Sequence, residues 1–299
     1  MPDQAKQRLL PILSLTWGVF SLGFSAIFVR LADAPGTVLN LYRMGIAAVL
    51  LALPFGIRLR RKQAPMPRKA VLYAVLGGLF FGVDLVLWST GVNLSGATNP
   101  TLMANTAPLW VGLGALLFFG EKRGGIFWMG LFLSLLGSGL ILGLDSLQSA
   151  ELGLGTSLGL MGSFFYGAYI LLTQKGRAEL DSLTYFWIVA ASAALSMGIY
   201  SLIFRVPILG YSGFTYLNFL ALGVVVQVLG WLSINYAQGY LPAAVVAPTL
   251  LGQPVMTAVL SHFILDEQLS LQQAGAGAVV LIGVYFVHRS RLQEKPTAG

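Results

Sequence analysis

Arg43 and Asp84 are full charges set well inside apolar sequence. A charge at membrane depth is costly unless it is paired or solvated, so each is a candidate for binding chemistry. A guanidinium takes a carboxylate in two parallel hydrogen bonds, and a carboxylate takes an amine or a proton. Arg43 stands about seven residues into its apolar segment, and Asp84 about eight or nine from the end of the next, so at 1.5 Å per residue both lie about 10–13 Å below one surface. Two readings follow. Either the pair is a structural clamp between two helices, or one or both groups face a cavity and bind a solute or a coupling proton.

Other candidates fall into stripes at helical spacing. Gln227, Trp231, Asn235 and Gln238 are spaced four, four and three apart. Amides and an indole on one side suit a wet cavity, or else hydrogen bonds between helices. Trp88 follows Asp84 by four. Ser163, Tyr166 and Thr173 share a face, with Tyr169 near it. Ser14, Trp17 and Ser21 align, as do Thr249, Gln253 and Thr257. Rings beside hydroxyls and amides make a pocket for amphipathic solutes. The expected substrate-binding set is therefore Trp17, Arg43, Asp84, Trp88, Asn105, Tyr166, Tyr169, Gln227, Trp231, Asn235 and Gln253. Pro108 and Pro254 sit mid-segment, where proline frees the carbonyl four residues earlier and kinks a helix, as a hinge or as a plain bend. Asn105 and Gln253 stand next to them and could satisfy the freed groups. Gly78-x-x-x-Gly82 and Gly139-x-x-x-Gly143 read as close helix packing.

The elements that carry these residues are membrane helices. Hydrophobic residues are 56% and charged residues 10% of the 299-residue chain, and mean hydropathy is +0.78. No water-soluble domain hides that much apolar surface. Ten segments are long enough to span, approximately 10–31, 37–57, 70–92, 97–119, 124–143, 154–174, 183–204, 214–237, 242–264 and 271–288. The alternating pattern of barrel strands is absent, so the fold class is all-α membrane protein. The first segment runs too long for a removable signal peptide.

Charge placement sets the expected orientation. With a cytoplasmic N-terminus, the cytoplasmic stretches hold Lys6, Arg8, Arg58, Arg60, Arg61, Lys62, Arg68, Lys69, Lys122, Arg123, Lys175, Arg177, Arg289, Arg291 and Lys295, which is 15 of the 18 basic residues. Only Arg30 and Arg205 fall in outer loops, and Arg43 lies inside a helix. Both termini are then cytoplasmic, with Asp33, Asp145, Glu151, Asp266 and Glu267 outside. The net charge of +7 therefore reports topology, and nucleic acid is not an expected partner. The chain has no cysteine, which excludes disulfides and thiolate metal sites.

Residues 97–139 and 243–285 repeat one pattern at an offset of 146, with Ala97 on Ala243, Pro108 on Pro254, Glu121 on Glu267, Leu135 on Leu281 and Gly137 on Gly283. The repeats are 1–145 and 146–299, five helices each. Five is odd, so the second enters the membrane upside down relative to the first, which is the inverted-repeat plan of many carriers.

Trp17-Gly18, Arg43, the run from Ser89 to Glu121 and its echo from Asn235 to Glu267 resemble the drug/metabolite transporter superfamily, EamA type, over essentially the whole chain. The resemblance implies a carrier for small organic metabolites, often an exporter of amino acids or other metabolites, with helices 1, 3, 4, 6, 8 and 9 around the cavity. Arg43 aligns with a basic residue common in that family's pattern, and Asp84 has no such support. Related four-helix multidrug exporters use a carboxylate in the first helix. None lies between Pro11 and Phe28 here, so that mechanism does not carry over.

The expected function is secondary export of small amphipathic metabolites, amino acids or their relatives, by alternating access in a bacterial inner (plasma) membrane. A carrier of phosphorylated or nucleotide-linked sugars would want several cavity cations, and Arg43 stands alone. A membrane scaffold or intramembrane enzyme would need a soluble domain or a catalytic cluster. No P-loop, HExxH, GxSxG or dinucleotide motif occurs, and His262 and His288 lie far apart. No enzyme activity, cofactor or metal is expected, and the expected partners are a small-molecule substrate and the lipid bilayer.

Overall fold

The computed structural model describes residues 2–61, 65–95, 98–142, 153–266 and 268–293. Lys62, Ala97, Gly143, Asp145, Glu151, Glu267 and Lys295 lie outside them. Among the described residues, ten helical spans are long and apolar enough to cross a bilayer: Leu9–Leu31, Gly36–Arg61, Arg68–Ser95, Asn99–Phe119, Gly125–Leu142, Leu154–Arg177, Ser182–Ile203, Gly213–Gln238, Ala243–Ile264 and Leu271–Ser290. They are called the first to tenth spans below. Their outer faces carry bare apolar side chains such as Leu53, Leu117, Phe118 and Leu202, which only lipid can cover without cost.

Local chemistry sets several ends. Asp181 caps the seventh span, its carboxylate accepting from the Thr184 N–H at 3.1 Å. The Ser212 hydroxyl accepts from the Thr215 N–H at 3.1 Å and caps the eighth. Gly120, at φ +67°, ends the fourth in the left-handed conformation that glycine adopts without strain.

The two prolines do more than bend their helices. The fourth span is Thr98–Ala104 followed by Ala107–Phe119, and the ninth is Ala243–Leu250 followed by Gln253–Ile264. Each leading half stops at the residue four before the proline, Ala104 for Pro108 and Leu250 for Pro254. That is the residue whose carbonyl loses its donor and meets the pyrrolidine ring. Each trailing half then begins one residue before its proline, a position where the missing N–H costs nothing. The expected mid-helix kinks are thus corrected to two true breaks, in register between the repeats. The polar side chains at the first break bond elsewhere than to the freed Ala104 carbonyl. Thr106 donates to the Met103 carbonyl at 2.6 Å, while the Asn105 amide goes to Ser138 on the fifth span at 2.9 Å.

The spans pair in a way that maps one repeat onto the other. The third packs along the sixth, as the eighth packs along the first. The fourth packs on the sixth, as the ninth packs on the first. The fifth and tenth pack on each other, and here the symmetry reaches single residues. A Cβ on Gly130 would lie 2.7 Å from the Gly283 carbonyl oxygen, and one on Gly137 would lie 2.7 Å from that of Ala276. Gly130 and Ala276 are repeat mates, and so are Gly137 and Gly283. The fold is two five-helix repeats about a pseudo-two-fold axis, inverted because five is odd. Gly78 and Gly82 sit against Val189, Ser192 and Ser196 of the seventh span, as their spacing suggests. Among the described residues a Cβ on Gly139 would meet Leu102 at an ordinary 3.4 Å, so the fifth span's tight contact lies on Gly130 and Gly137 instead.

One departure from symmetry matters for the site. Leu222–Trp231 of the eighth span winds as a π-helix, whereas the matching stretch of the third span is α-helical throughout. Wide turns of this kind cluster at functional positions. This one carries both Gln227 and Trp231.

Candidate functional site

Seven spans converge on a cavity of about 140 Å³. Leu22 and Ser25 come from the first span, Arg43 from the second, and Phe81, Asp84, Leu85 and Trp88 from the third. Thr101 and Ala104 end the leading half of the fourth span, and Asn105 stands in its break. Tyr166 comes from the sixth span, Trp231 from the eighth, and Gln253 opens the trailing half of the ninth. Both helix breaks therefore border the same space.

Arg43 and Asp84 face this cavity together but are not a clamp. Among the described residues Asp84 makes no ion pair and no hydrogen bond, and the two charges act on each other only across the space between them. The guanidinium is held by amides instead. Nε and Nη2 both donate to Gln227 Oε1, at 3.1 and 2.8 Å, and Nη1 donates to Asn40 Oδ1 at 3.3 Å. These holders are fixed in turn, Gln227 by donating to the Met44 sulfur at 2.8 Å and Asn40 by donating to the Leu85 carbonyl at 3.3 Å. Asp84 lies against the sixth span, where a Cβ on Gly162 would come 3.0 Å from its Oδ1.

Aromatic rings form one wall. Phe81 stacks on Tyr169 at 4.5 Å and packs beside Trp231 at 4.9 Å, and Tyr166 meets Trp231 edge-on at 6.0 Å. The Trp88 indole is pinned by donating to Thr101 at 3.1 Å. The Trp231 N–H, buried, has no partner among the described residues.

The expected site residues thus divide. Arg43, Asp84, Trp88, Asn105, Tyr166, Trp231 and Gln253 line the cavity. Gln227, Tyr169 and Asn235 stand behind it in the wall, fully buried, with Asn235 donating to the Tyr169 hydroxyl at 3.2 Å. The eighth-span stripe is therefore mixed, with Trp231 at the cavity and its amides bonded to neighbouring helices. Trp17 is elsewhere. It is 49% exposed and lines a larger apolar groove with Phe20, Met256 and Leu281. Gly18 explains this, since a Cβ there would lie 2.4 Å from Ile234. That contact turns Gly18, Val19 and Leu22 inward and leaves Thr16 and Trp17 toward lipid. Asn40, Phe81 and Thr101 were missed. Their signals were Asn40 three residues before Arg43, Phe81 three before Asp84, and Thr101 four before Asn105.

A second polar layer lies where the fourth and sixth spans end and the ninth begins. Glu121 pairs with Arg123 and accepts from Gln174 at 2.9 Å. Gln174 in turn accepts from the Ala243 N–H. Arg177 donates to the Asn235 and Leu180 carbonyls.

The sequence pattern of the EamA-like transporter family matches residues 9–143 and 153–289, nearly the whole of both repeats. The chain belongs to the EamA-like transporter family. Its fold is also that of a solved protein, described only as a crystal structure of a protein. That structure is similar at a TM-score of 0.76 and 17% identity, over 96% of this chain and 99% of that one. At that identity the likeness carries the architecture alone. This EamA-like transporter is therefore a multi-pass membrane protein of a family whose members move small molecules.

Proposed function

We propose that this EamA-like transporter is a secondary carrier that exports small amphipathic metabolites, with amino acids and related compounds as the leading class. The observation that carries the reading is a cavity, bordered by two helix breaks, in which a guanidinium and a carboxylate stand without pairing to each other. Ring faces beside them suit the apolar part of such a solute. A phosphorylated sugar would bring its anionic charge beside Asp84 and find one cation only.

Both termini lie in the cytoplasm, and the membrane is a bacterial inner membrane. Alternating access would rock the inverted repeats about the breaks. The Glu121–Gln174–Ala243 chain and the Arg177 contacts would then part when the cavity opens toward the cytoplasm. The test is counterflow. The purified protein in vesicles loaded with unlabelled amino acids should accumulate the same labelled amino acids from outside without ATP. No accumulation of any amino acid, amine or sugar phosphate would end the carrier reading.

A further inference from the structure

We propose that the ligand is recognised as a zwitterion, its carboxylate on Arg43 and its ammonium on Asp84, with Gln227 and Asn40 acting as positioning residues for the carboxylate pole. This rests on the carrier reading and specifies which chemistry selects the solute.

The argument is a count of hydrogen bonds. A guanidinium has five N–H groups. Three are engaged, by Gln227 through Nε and Nη2 and by Asn40 through Nη1. Two remain, one on each terminal nitrogen, and a carboxylate is the usual charged partner of a guanidinium. The acceptors already in place are neutral amide oxygens. They hold the planar group in one orientation and leave its positive charge uncancelled. Asp84 is the complement, with both carboxylate oxygens free of hydrogen bonds among the described residues and a wall position on the cavity.

Both groups are buried, Arg43 and Asp84 each 6% exposed. Charges so placed interact strongly with whatever enters. The cavity's two charges sum to zero, so a ligand of zero net charge with separated poles satisfies both. An amine alone leaves Arg43 without a counter-charge, and a simple anion sets like charge against Asp84. The space between and beside the poles takes the body of the ligand. Phe81, Tyr166 and Trp231 make the apolar face for its side chain.

The experiment measures binding, without transport, on the purified protein in lipid nanodiscs. The probes are the twenty protein amino acids by calorimetric titration. The tightest binder is then compared with its decarboxylated amine and its deaminated acid. The amino acid should bind at least about tenfold more tightly than either, the worth of one charge-assisted hydrogen bond. Asp84→Asn, which keeps the shape, should weaken the amino acid and strengthen the deaminated acid, reversing their order. Gln227→Leu should weaken the amino acid about tenfold while leaving the amine unchanged, because only the carboxylate pole depends on the guanidinium's aim. A purely structural role for Gln227 would lower both. Failure of every amino acid to bind, equal binding of amine or acid, or parallel loss of amino acid and acid in Asp84→Asn would each overturn the proposal. Counterflow of some other solute alongside these results would leave the carrier reading standing and remove only the zwitterion.

Discussion

Gly283→Ala tests whether the fifth and tenth spans are a rigid frame apart from the cavity. A Cβ on Gly283 would lie 2.5 Å from the Ser134 nitrogen and 2.6 Å from the Gly130 carbonyl oxygen. Real Cβ contacts stay beyond 3.0 Å and are ordinary from 3.4 Å, so from 2.5 Å the backbones must separate by about 0.5–0.9 Å. Neither neighbour is a flexible side-chain tip, so the strain cannot be relieved by a rotamer change. Overpacking of this kind costs about 1–3 kcal/mol or somewhat more, set against a gain of up to about 1 kcal/mol from replacing glycine by alanine inside a helix. The matched control is Gly45→Ala in the second span, where a Cβ meets nothing within 4 Å and only the helix gain remains. Thermal unfolding in detergent should show Gly283→Ala losing several degrees and Gly45→Ala holding or rising. Neither the fifth nor the tenth span lines the cavity, so ligand affinity measured below the transition should be unchanged in both variants. Equal melting of Gly283→Ala and wild type would refute the close-approach argument. A change in affinity without a change in melting would refute the separation of frame from site.

Replacing Pro108 and Pro254 together by alanine should let the fourth and ninth spans run continuously. The expected result is a large loss of counterflow with ligand binding reduced far less, and an unchanged rate would deny the breaks any part in access. A cysteine placed at Gly210 should react with an impermeant maleimide on intact cells, and one at Gly124 only after permeabilisation. The reverse pattern would invert the topology. Asp181 gives a pH test outside the membrane. Burial alone would push its carboxyl up, but the two Thr184 hydrogen bonds and the Arg58 guanidinium at 2.9 Å outweigh it and hold it below the ordinary value. A depressed folded-state value means that the stabilisation is complete above the unfolded carboxylate range and is lost as pH falls through the folded one. Asp181→Ala should therefore cost about 1 kcal/mol near neutrality as a lost helix cap and show a shallower fall in melting temperature on acidification. An acid limb as steep as wild type would place the pH dependence elsewhere.

The ten spans were legible because a bilayer demands long apolar runs, and the repeat was legible because Pro108 and Pro254 share an offset. What the sequence does not encode so openly is which face of an apolar helix meets lipid. In water an exposed tryptophan is a signal. In lipid Trp17 is as comfortable outside as Trp231 is inside, and only Gly18's approach to Ile234 decides between them. Amide stripes are ambiguous for a related reason. Gln227 and Asn235 need partners, but spacing alone does not say whether these are water or a neighbouring helix. Depth counting brought Arg43 and Asp84 to one level without revealing that Gln227 and Asn40 would occupy three guanidinium N–H groups. That arrangement depends on the tertiary meeting of the second and eighth spans.

The two repeats share a scaffold but not a charge. Arg43 and Asp84 both come from the first, and the positions 146 residues on are Val189 and Gly230. The second repeat contributes rings and an amide, Tyr166, Trp231 and Gln253. The poles thus belong to one half, while the apolar face is shared, Phe81 and Trp88 from the first repeat standing beside Tyr166 and Trp231 from the second. Substitutions in the second half can then change ligand shape and leave the charged poles in place, while the helix breaks common to both halves stay fixed. A chimera joining this first half to the second half of a relative should keep this protein's preference for charge and shift its preference for side chain.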